Sequence, residues 1–279
     1  MKNMFWFVKQ SIVLDLKFIK VSDWTFSKKM NFFILKYFLI FKHFFKKFEL
    51  GKNFCKFGRK KIFYDSKYGI AGYQSLLCRH QNLIKIAKIS DAKTIIDIGA
   101  NVGFFSKLCR DLFPDSKIYS IEPIPQTFYC LERNFKGDSL TKVFNLAISD
   151  FNGRSKMSFN EQDSAVSQFS DKGRVSVEVS KLDNFIEKNK IDKVDILKID
   201  TETFEAHVLR GGSKTLEKTK YLFIEITMEE DNRNYTLSSL LKLLFSDNYN
   251  FQLVGFRNYA DVSEGEMPIM DALFENKYL

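Results

Sequence analysis

The chain reads as an α/β protein built on a doubly wound, mostly parallel sheet, and three observations predict it. Apolar, β-branched runs of strand length alternate with helix-length amphipathic segments over residues 94–245. The run Thr94–Ile98 passes directly into the turn Gly99-Ala-Asn-Val-Gly103 and a helix, the start of a βαβ unit. Asn250–Phe256 and Asp271–Glu275 then pair as an antiparallel hairpin that closes the sheet.

Each element has a local reason. Thr94-Ile-Ile-Asp-Ile98 is a short run suited to a parallel strand buried on both faces. Gly99 and Gly103 let the backbone approach a ligand without Cβ interference. Phe104–Phe113 has helical spacing, with Phe104, Leu108 and Leu112 on one face, until Pro114-Asp115 stops it. Lys117–Ile121 is the second strand and Thr127–Phe135 the second helix. Val143–Ser149 is expected as the third strand, ended by the turn Asp150-Phe-Asn-Gly153. Lys156–Phe159 and Val175–Val179 alternate like antiparallel strands, with Asn160–Arg174 expected as a mobile polar loop between them. Leu182–Lys190 is a helix, Asp195–Asp200 the fourth buried strand, and Phe204–Arg210 a helix capped by Gly211-Gly212. Tyr221–Ile226 is the fifth strand, followed by the helix Ser238–Phe245.

Glu122 falls at the tip of the second strand, about 20 residues after the glycine turn, where a carboxylate accepts hydrogen bonds from both ribose hydroxyls. The unit therefore predicts a nucleoside cofactor. A dinucleotide site wants three glycines in G-x-G-x-x-G, whereas this turn has only Gly99 and Gly103, with Asp97 where a pyrophosphate would meet repulsion. S-adenosylmethionine carries no phosphate, and its positive ammonium and sulfonium suit a carboxylate-lined turn. In such sheets ligands sit beyond the carboxyl ends of the strands, where Gly99, Glu122, Ser149, Asp200 and Glu225 collect.

A second cluster is KIDTETFEAHVLRGG, Lys198–Gly212, in which Asp200, Glu202 and Glu205 crowd the exit of the fourth strand. Asp200 and Glu202 are the candidates to orient a substrate hydroxyl or take its proton. Glu205 is read as a helix N-terminal acid favoured by the macrodipole, and His207 as a solvent-facing helical residue with general-base chemistry as the alternative. Carboxylates could also hold a divalent cation, but with no further oxygen ligand identifiable no metal is assigned.

The outer bounds come from size and charge. At 279 residues and 45% hydrophobic content the chain supports one packed α/β domain plus an extension. The boundaries read as a basic, Phe-rich N-terminal extension over 1–50, a lead-in over 51–92 and the nucleoside-binding domain over 93–279. The lead-in holds a short strand or hairpin at Lys61–Tyr64, a turn at Lys67–Gly72 and a helix over Tyr73–Ile89. Cys55, Cys78, Cys109 and Cys130 form no C-x-x-C pair and read as reduced thiols of a cytoplasmic protein. Residues 1–50 carry ten lysines and three acids, net +7, and the rest 33 basic and 31 acidic residues, net +2. The body thus lacks the strongly basic face of a nucleic-acid binder.

The extension shows no signal-peptide core and no span of 18 uncharged apolar residues, because Lys36 and Lys42 interrupt its most apolar part. Over residues 28–48 its pattern is helical. Met30, Ile34, Tyr37, Phe38, Phe41, Phe44, Phe45 and Phe48 share one face, with Lys29, Lys36, His43 and Lys47 opposite. Such a helix either lies peripherally in an anionic membrane surface or docks its aromatic face on the body or on a second copy in a homodimer.

The combination IIDIGANVGFFS, IEP, NLAISD, KLDNF, LKIDTETFEAHVLRGG and FIEI resembles the FkbM-type family of S-adenosylmethionine-dependent methyltransferases over roughly residues 70–275. That resemblance implies the Rossmann-like class I methyltransferase fold, a seven-stranded sheet whose last strand is antiparallel. It also implies O-methylation of a hydroxyl on a sugar, glycan or related metabolite. By the same resemblance Asp97, Gly99, Asn101 and Gly103 surround the methionine part, Glu122 holds the ribose, and Asn145, Ala147 and Ser149 lie near the adenine. One position departs from the family pattern: Thr203 stands where Asp-x-Glu-Gly has glycine, and a β-branched residue resists φ > 0.

Methylation of nucleic-acid bases does not fit. An amino-methylating enzyme wants Asn/Asp-Pro-Pro-aromatic after the fourth strand, where this chain has Asp200-Thr-Glu-Thr203, and no proline precedes a cysteine. Two alternatives to the enzyme stand: a membrane-surface scaffold with an inactive methyltransferase fold, and a nicotinamide-dependent oxidoreductase.

Overall fold

The run Thr94–Ile98 carries almost no polar face because it lies inside a sheet, with Ile95, Ile96 and Ile98 all buried between layers. The computed structural model describes residues 2–22, 24–45, 54–57, 60–64, 69–160, 163–169, 173–227, 237–245, 249–258 and 269–279. Two helices come first, α1 (Lys2–Val21) and α2 (Phe26–Phe45), then the hairpin β1 (Phe54–Phe57) and β2 (Lys60–Phe63) and helix α3 (Gly69–Ile86). The nucleoside unit is β3 (Thr94–Ile98), α4 (Phe104–Leu112), β4 (Lys117–Ile121) and α5 (Pro125–Phe135), followed by β5 (Thr141–Phe144). Next come β6 (Ala147–Ser149), β7 (Gly153–Asn160), β8 (Asp163–Phe169), β9 (Val175–Lys181) and α6 (Leu182–Lys188). The chain then runs through β10 (Val194–Ile199), α7 (Glu205–Arg210), α8 (Ser213–Glu217), β11 (Thr219–Thr227), α9 (Leu237–Leu244), β12 (Phe251–Asn258) and β13 (Ile269–Asn276).

The main sheet has seven strands in the order β12-β13-β11-β10-β3-β4-β5. β10, β11, β3, β4 and β5 pair in parallel, and β13 enters antiparallel to both β11 and β12. This is the class I methyltransferase arrangement, with the last strand reversed as expected. Register sets the active edge: Ile199 pairs with Ile98 and with Ile224, so β3, β10 and β11 end level with one another. The core lies on both faces of the sheet. One layer gathers Leu83, Phe105, Leu108 and Phe223, and the other Leu182, Phe185, Val208, Leu209 and Leu240.

Three segments differ from the sequence expectation. Val143–Ser149 is two strands rather than one: Asn145 and Leu146 break it, β5 stays in the main sheet, and β6 pairs with β9 in a second, four-stranded sheet of order β6-β9-β7-β8. Asn160–Arg174 is not one irregular loop, since β8 folds back on β7 with Met157 opposite Phe169 and Phe159 opposite Ser167. Its polar residues mask the strand because an antiparallel ribbon can face solvent.

The third difference is in α2. Its buried side is Phe32, Lys36 and Leu39, while Met30, Ile34 and Phe38 are exposed, so over these residues the aromatic face does not dock on the body. Packing and one ion pair decide the rotation. Phe32 contacts Phe18 and Trp24 at 5.4 and 5.6 Å between ring centroids. The Lys36 ammonium enters the interior, pairs with Asp15, and donates to the Ser11 carbonyl at 3.2 Å and to Gln74 Oε1 at 2.9 Å. Gln74 Nε2 closes the network on Asp15 at 2.7 Å, which ties α1 and α2 to α3. The face expected for Phe41, Phe44, Phe45 and Phe48, with His43 and Lys47, falls outside the described side chains. Among the described residues, no helix is long and apolar enough to cross a membrane.

Candidate functional site

The turn after β3 is built from backbone that only small or polar residues tolerate. Gly99, Asn101 and Gly103 all take positive φ, at 73°, 52° and 87°. A Cβ on Gly99 would stand 1.7 Å from the Asp200 carbonyl oxygen, and one on Gly103 2.5 Å from the Phe135 ring. The turn is anchored by the neighbouring strand ends: Gly99 and Ala100 donate to the Ile121 carbonyl at 3.0 and 2.9 Å, and Asp200 donates to that of Ile98 at 3.1 Å.

Glu122 follows β4 and reaches across to this turn. Its carboxylate accepts from the Asn101 amide at 3.0 Å and from the Ile124 amide at 2.9 Å. A carboxylate is an acceptor-only group, the type that takes hydroxyl donors. Asn145 braces the same corner, donating from Nδ2 to the carbonyls of Glu122 and Pro123, both at 2.9 Å. Ala147 and Ser149, farther along, are buried: Ala147 packs with Ile124, Val177 and Val179, and Ser149 bonds Asp150 at 3.3 Å.

Asp97 lies beneath the turn and is fully buried. Ser106 Oγ donates to its Oδ2 at 2.6 Å and is itself 2.7 Å from Ser120 Oγ, whereas Oδ1 has no hydrogen-bond partner. Burial raises its pKa above the ordinary carboxylate value, although the Lys198 ammonium, 3.8 Å away, works against this. Lys198 is a buried cation shared between two acids. It also donates to Asp200 Oδ2 at 2.8 Å, and the two carboxylates outweigh desolvation and hold it protonated. Sequence reasoning passed over Lys198; the signal was a lysine inside the otherwise apolar strand Val194–Ile199, where an unpaired charge is not tolerated.

The acids after β10 form the second half of the site. Asp200, Glu202 and Glu225 each bring a carboxylate oxygen within 4.8 Å of the others. Glu225, on β11, is buried, and its carboxyl is pushed well above the ordinary range by desolvation and by the charges of Asp200, Glu202, Glu205 and Asp271. Glu205 does not face solvent as a simple helix-end acid would. It is 5% exposed and accepts from the Thr201 amide and hydroxyl at 2.7 and 3.1 Å, and burial with nearby Asp200 raises it to about 7. Glu202 and Thr203 take φ of 52° and 80°, so the left-handed turn forms despite threonine at the family's glycine position. His207 is half-buried rather than solvent-facing; its Nδ1 lies 3.0 Å from Asp150 Oδ2 and its ring stacks on Phe204.

One sheet edge thus holds a glycine turn with a buried acid beneath it, a carboxylate at the next strand tip and a triad of acids beside them. The family model of the methyltransferase FkbM domain matches residues 97–253, from Asp97 through both halves of this site. The chain is 25% identical over 181 residues to the 2-O-methyltransferase NoeI of Sinorhizobium fredii, covering 58% of this chain and 74% of that protein. It is 24% identical over 144 residues to the hexuronic acid methyltransferase AglP of Haloferax volcanii, covering 50% and 58%. Methyltransferase 1 of Beauveria bassiana is 25% identical over 181 residues, covering 56% and 66%. The matched segment is more than half of the chain and carries the turn, the ribose-type acid and the strand-end acids together, so this protein belongs to the FkbM methyltransferase family and is a methyltransferase.

Proposed function

We propose that the protein is an S-adenosylmethionine-dependent O-methyltransferase acting on a hydroxyl of a sugar or glycan. One observation carries the reading: Gly99 and the Asp200 carbonyl are in contact, so a cofactor seated in the turn has its reactive end beside the strand-end carboxylates. The residues fit that cofactor. The Glu122 carboxylate, which already accepts from the Asn101 amide, is an acceptor that would take the ribose hydroxyls, and Asp97, two residues before Gly99, brings a buried carboxylate to the base of the turn formed by Gly99, Asn101 and Gly103. Asn145, with Ala147 and Ser149 after it in the chain, marks the adenine side. When bound, S-adenosylmethionine would supply a methyl group activated on a sulfonium, the electrophile for an acceptor hydroxyl.

The chain supplies alignment and a proton acceptor. Asp200 and Glu202 would receive the acceptor hydroxyl, and one of the two carboxylates takes its proton. The acceptor class is supported by the names of the relatives, a 2-O-methyltransferase and a hexuronic acid methyltransferase. The test is methyl transfer from labelled S-adenosylmethionine to a panel of neutral sugars and uronic acids, read by mass spectrometry. An O-methyl sugar lost in Glu202→Gln supports the reading; transfer to nitrogen or carbon acceptors alone contradicts it.

We propose in addition that the exposed apolar side chains of the N-terminal helices, Ile12, Leu16 and Ile19 of α1 and Phe26, Ile34 and Phe38 of α2, rest on an anionic membrane surface. Its support is the combination of exposed apolar side chains with the net +7 of residues 1–50. A lipid-linked glycan would then be the natural acceptor. Flotation with anionic vesicles should be lost in the double variant Ile34→Ser/Phe38→Ser. Equal partitioning of the two proteins, or a dimer that buries these side chains in sedimentation, contradicts the proposal.

A further inference from the structure

The three carboxylates that meet at the ends of β10 and β11 point to an occupant, and we propose that Asp200, Glu202 and Glu225 bind a divalent cation. Level strand ends bring them together: Ile199 pairs with Ile224, which places Asp200 alongside Glu225, and the positive-φ turn returns Glu202 to the same point. One oxygen of each lies within 4.8 Å of the other two. Oxygens on opposite sides of a Mg²⁺, Mn²⁺ or Ca²⁺ ion stand roughly 4.2 to 4.8 Å apart, so three oxygens no farther apart than 4.8 Å can share one ion.

Acidic clusters on a surface are common, and Glu225 is what sets this one apart. The residue is only 7% exposed, it faces the other two carboxylates, and among the described residues no hydrogen bond or ion pair reaches it. A buried carboxylate is ordinarily paired, protonated or bound to a metal. The buried cation Lys198 is shared between Asp200 at 2.8 Å and Asp97 at 3.8 Å. The sequence placed Glu225 with Asp200 at the strand ends but gave no third oxygen ligand for a metal beside Asp200 and Glu202. The third comes from a strand that is distant in the chain and adjacent in the sheet.

Three protein oxygens leave about half of a six-coordinate shell open. Resting on the methyl-transfer reading, that open side would take two adjacent oxygens of the acceptor, a vicinal diol or a hydroxy-carboxylate as a sugar ring or uronic acid presents them. The ion would fix which hydroxyl faces the methyl group and would lower its pKa.

The test is titration of the full-length, chelator-stripped protein with Mn²⁺, read by loss of the free-ion electron paramagnetic resonance signal. Competition by Mg²⁺ and Ca²⁺ and a parallel S-adenosylhomocysteine titration accompany it. One Mn²⁺ per chain is expected, with affinity at least about tenfold lower in Glu225→Gln and in Glu202→Gln, while both variants keep the wild-type melting temperature and S-adenosylhomocysteine affinity. No Mn²⁺ binding by folded wild-type protein, with or without S-adenosylhomocysteine, overturns the proposal, as does wild-type affinity in Glu225→Gln. Mn²⁺ binding without S-adenosylhomocysteine binding upholds the cation site and removes the methyl-transfer reading instead.

Discussion

Gly99 and Asp200 sit so close that the α-hydrogen of one takes the space in front of the carbonyl of the other: an added Cβ would lie 1.7 Å from the Asp200 oxygen. The contact joins the cofactor-type turn to the acidic cluster through backbone alone. Gly99→Ala meets both that clash and a φ of +73°. A loss of about 2 to 4 kcal/mol in denaturant unfolding is expected, together with loss of Mn²⁺ binding as Asp200 is displaced. A variant as stable as wild type would show that the two strand ends can separate freely.

Thr203 holds φ = +80°, a conformation that β-branched residues rarely adopt. Thr203→Gly should relieve that strain, partly offset by the entropy of glycine in the unfolded chain, for a net gain of up to about 1 kcal/mol. Thermal unfolding checks it. A clear destabilisation would mean that the threonine side chain holds the turn more firmly than the strain weakens it.

The Lys36–Asp15 pair is buried and joined to Tyr37 and Gln74. Desolvation lowers the pKa of Lys36, and Asp15 restrains that shift. Asp15→Ala leaves the ammonium buried without its counter-ion and should destabilise the protein by about 3 to 5 kcal/mol. The double variant Asp15→Leu/Lys36→Leu should recover most of that loss, because an apolar pair avoids the desolvation of both ions. Equal losses in the single and double variants would contradict the electrostatic account.

Glu205 has a folded-state pKa near 7 against an ordinary value of 4.5, so between these pH values the folded protein holds a proton that the unfolded chain has lost. Its contribution is fully present below the lower value and disappears as pH rises through the upper one, a decline of roughly 3 kcal/mol in all. Glu205→Gln still presents a carbonyl oxygen to Thr201 and cannot ionise. In chelator-treated protein, unfolding at pH 5 and pH 8 should therefore differ less in the variant than in wild type. An identical pH dependence would show that Glu205 stays ionised in the fold.

The parts of the site that one continuous segment supplies were legible in the chain. The turn Gly99–Gly103 and Glu122 belong to a single βαβ unit, and local spacing brings them within hydrogen-bond reach. Long-range pairing hid the rest. Glu225 was placed at the strand ends, but its closeness to both Asp200 and Glu202 follows only from the pairing of β10 with β11, and Lys198 shows its role only once Asp97 lies beside it. β8 carried too little apolar alternation to be read as a strand, since its hairpin partner supplies the order. α2 was misoriented because a helical pattern ranks lysine as solvent-facing, whereas Lys36 is buried by pairing with an aspartate 21 residues earlier.

Isothermal titration of the purified full-length protein with S-adenosylhomocysteine, alongside Glu122→Ala, bears most directly on the assignment of donor and site. Micromolar binding by wild type, weakened by about tenfold or more in the variant through loss of the ribose acceptor, is the predicted result. A folded wild-type protein that does not bind, or a Glu122→Ala variant that binds equally well, would contradict it.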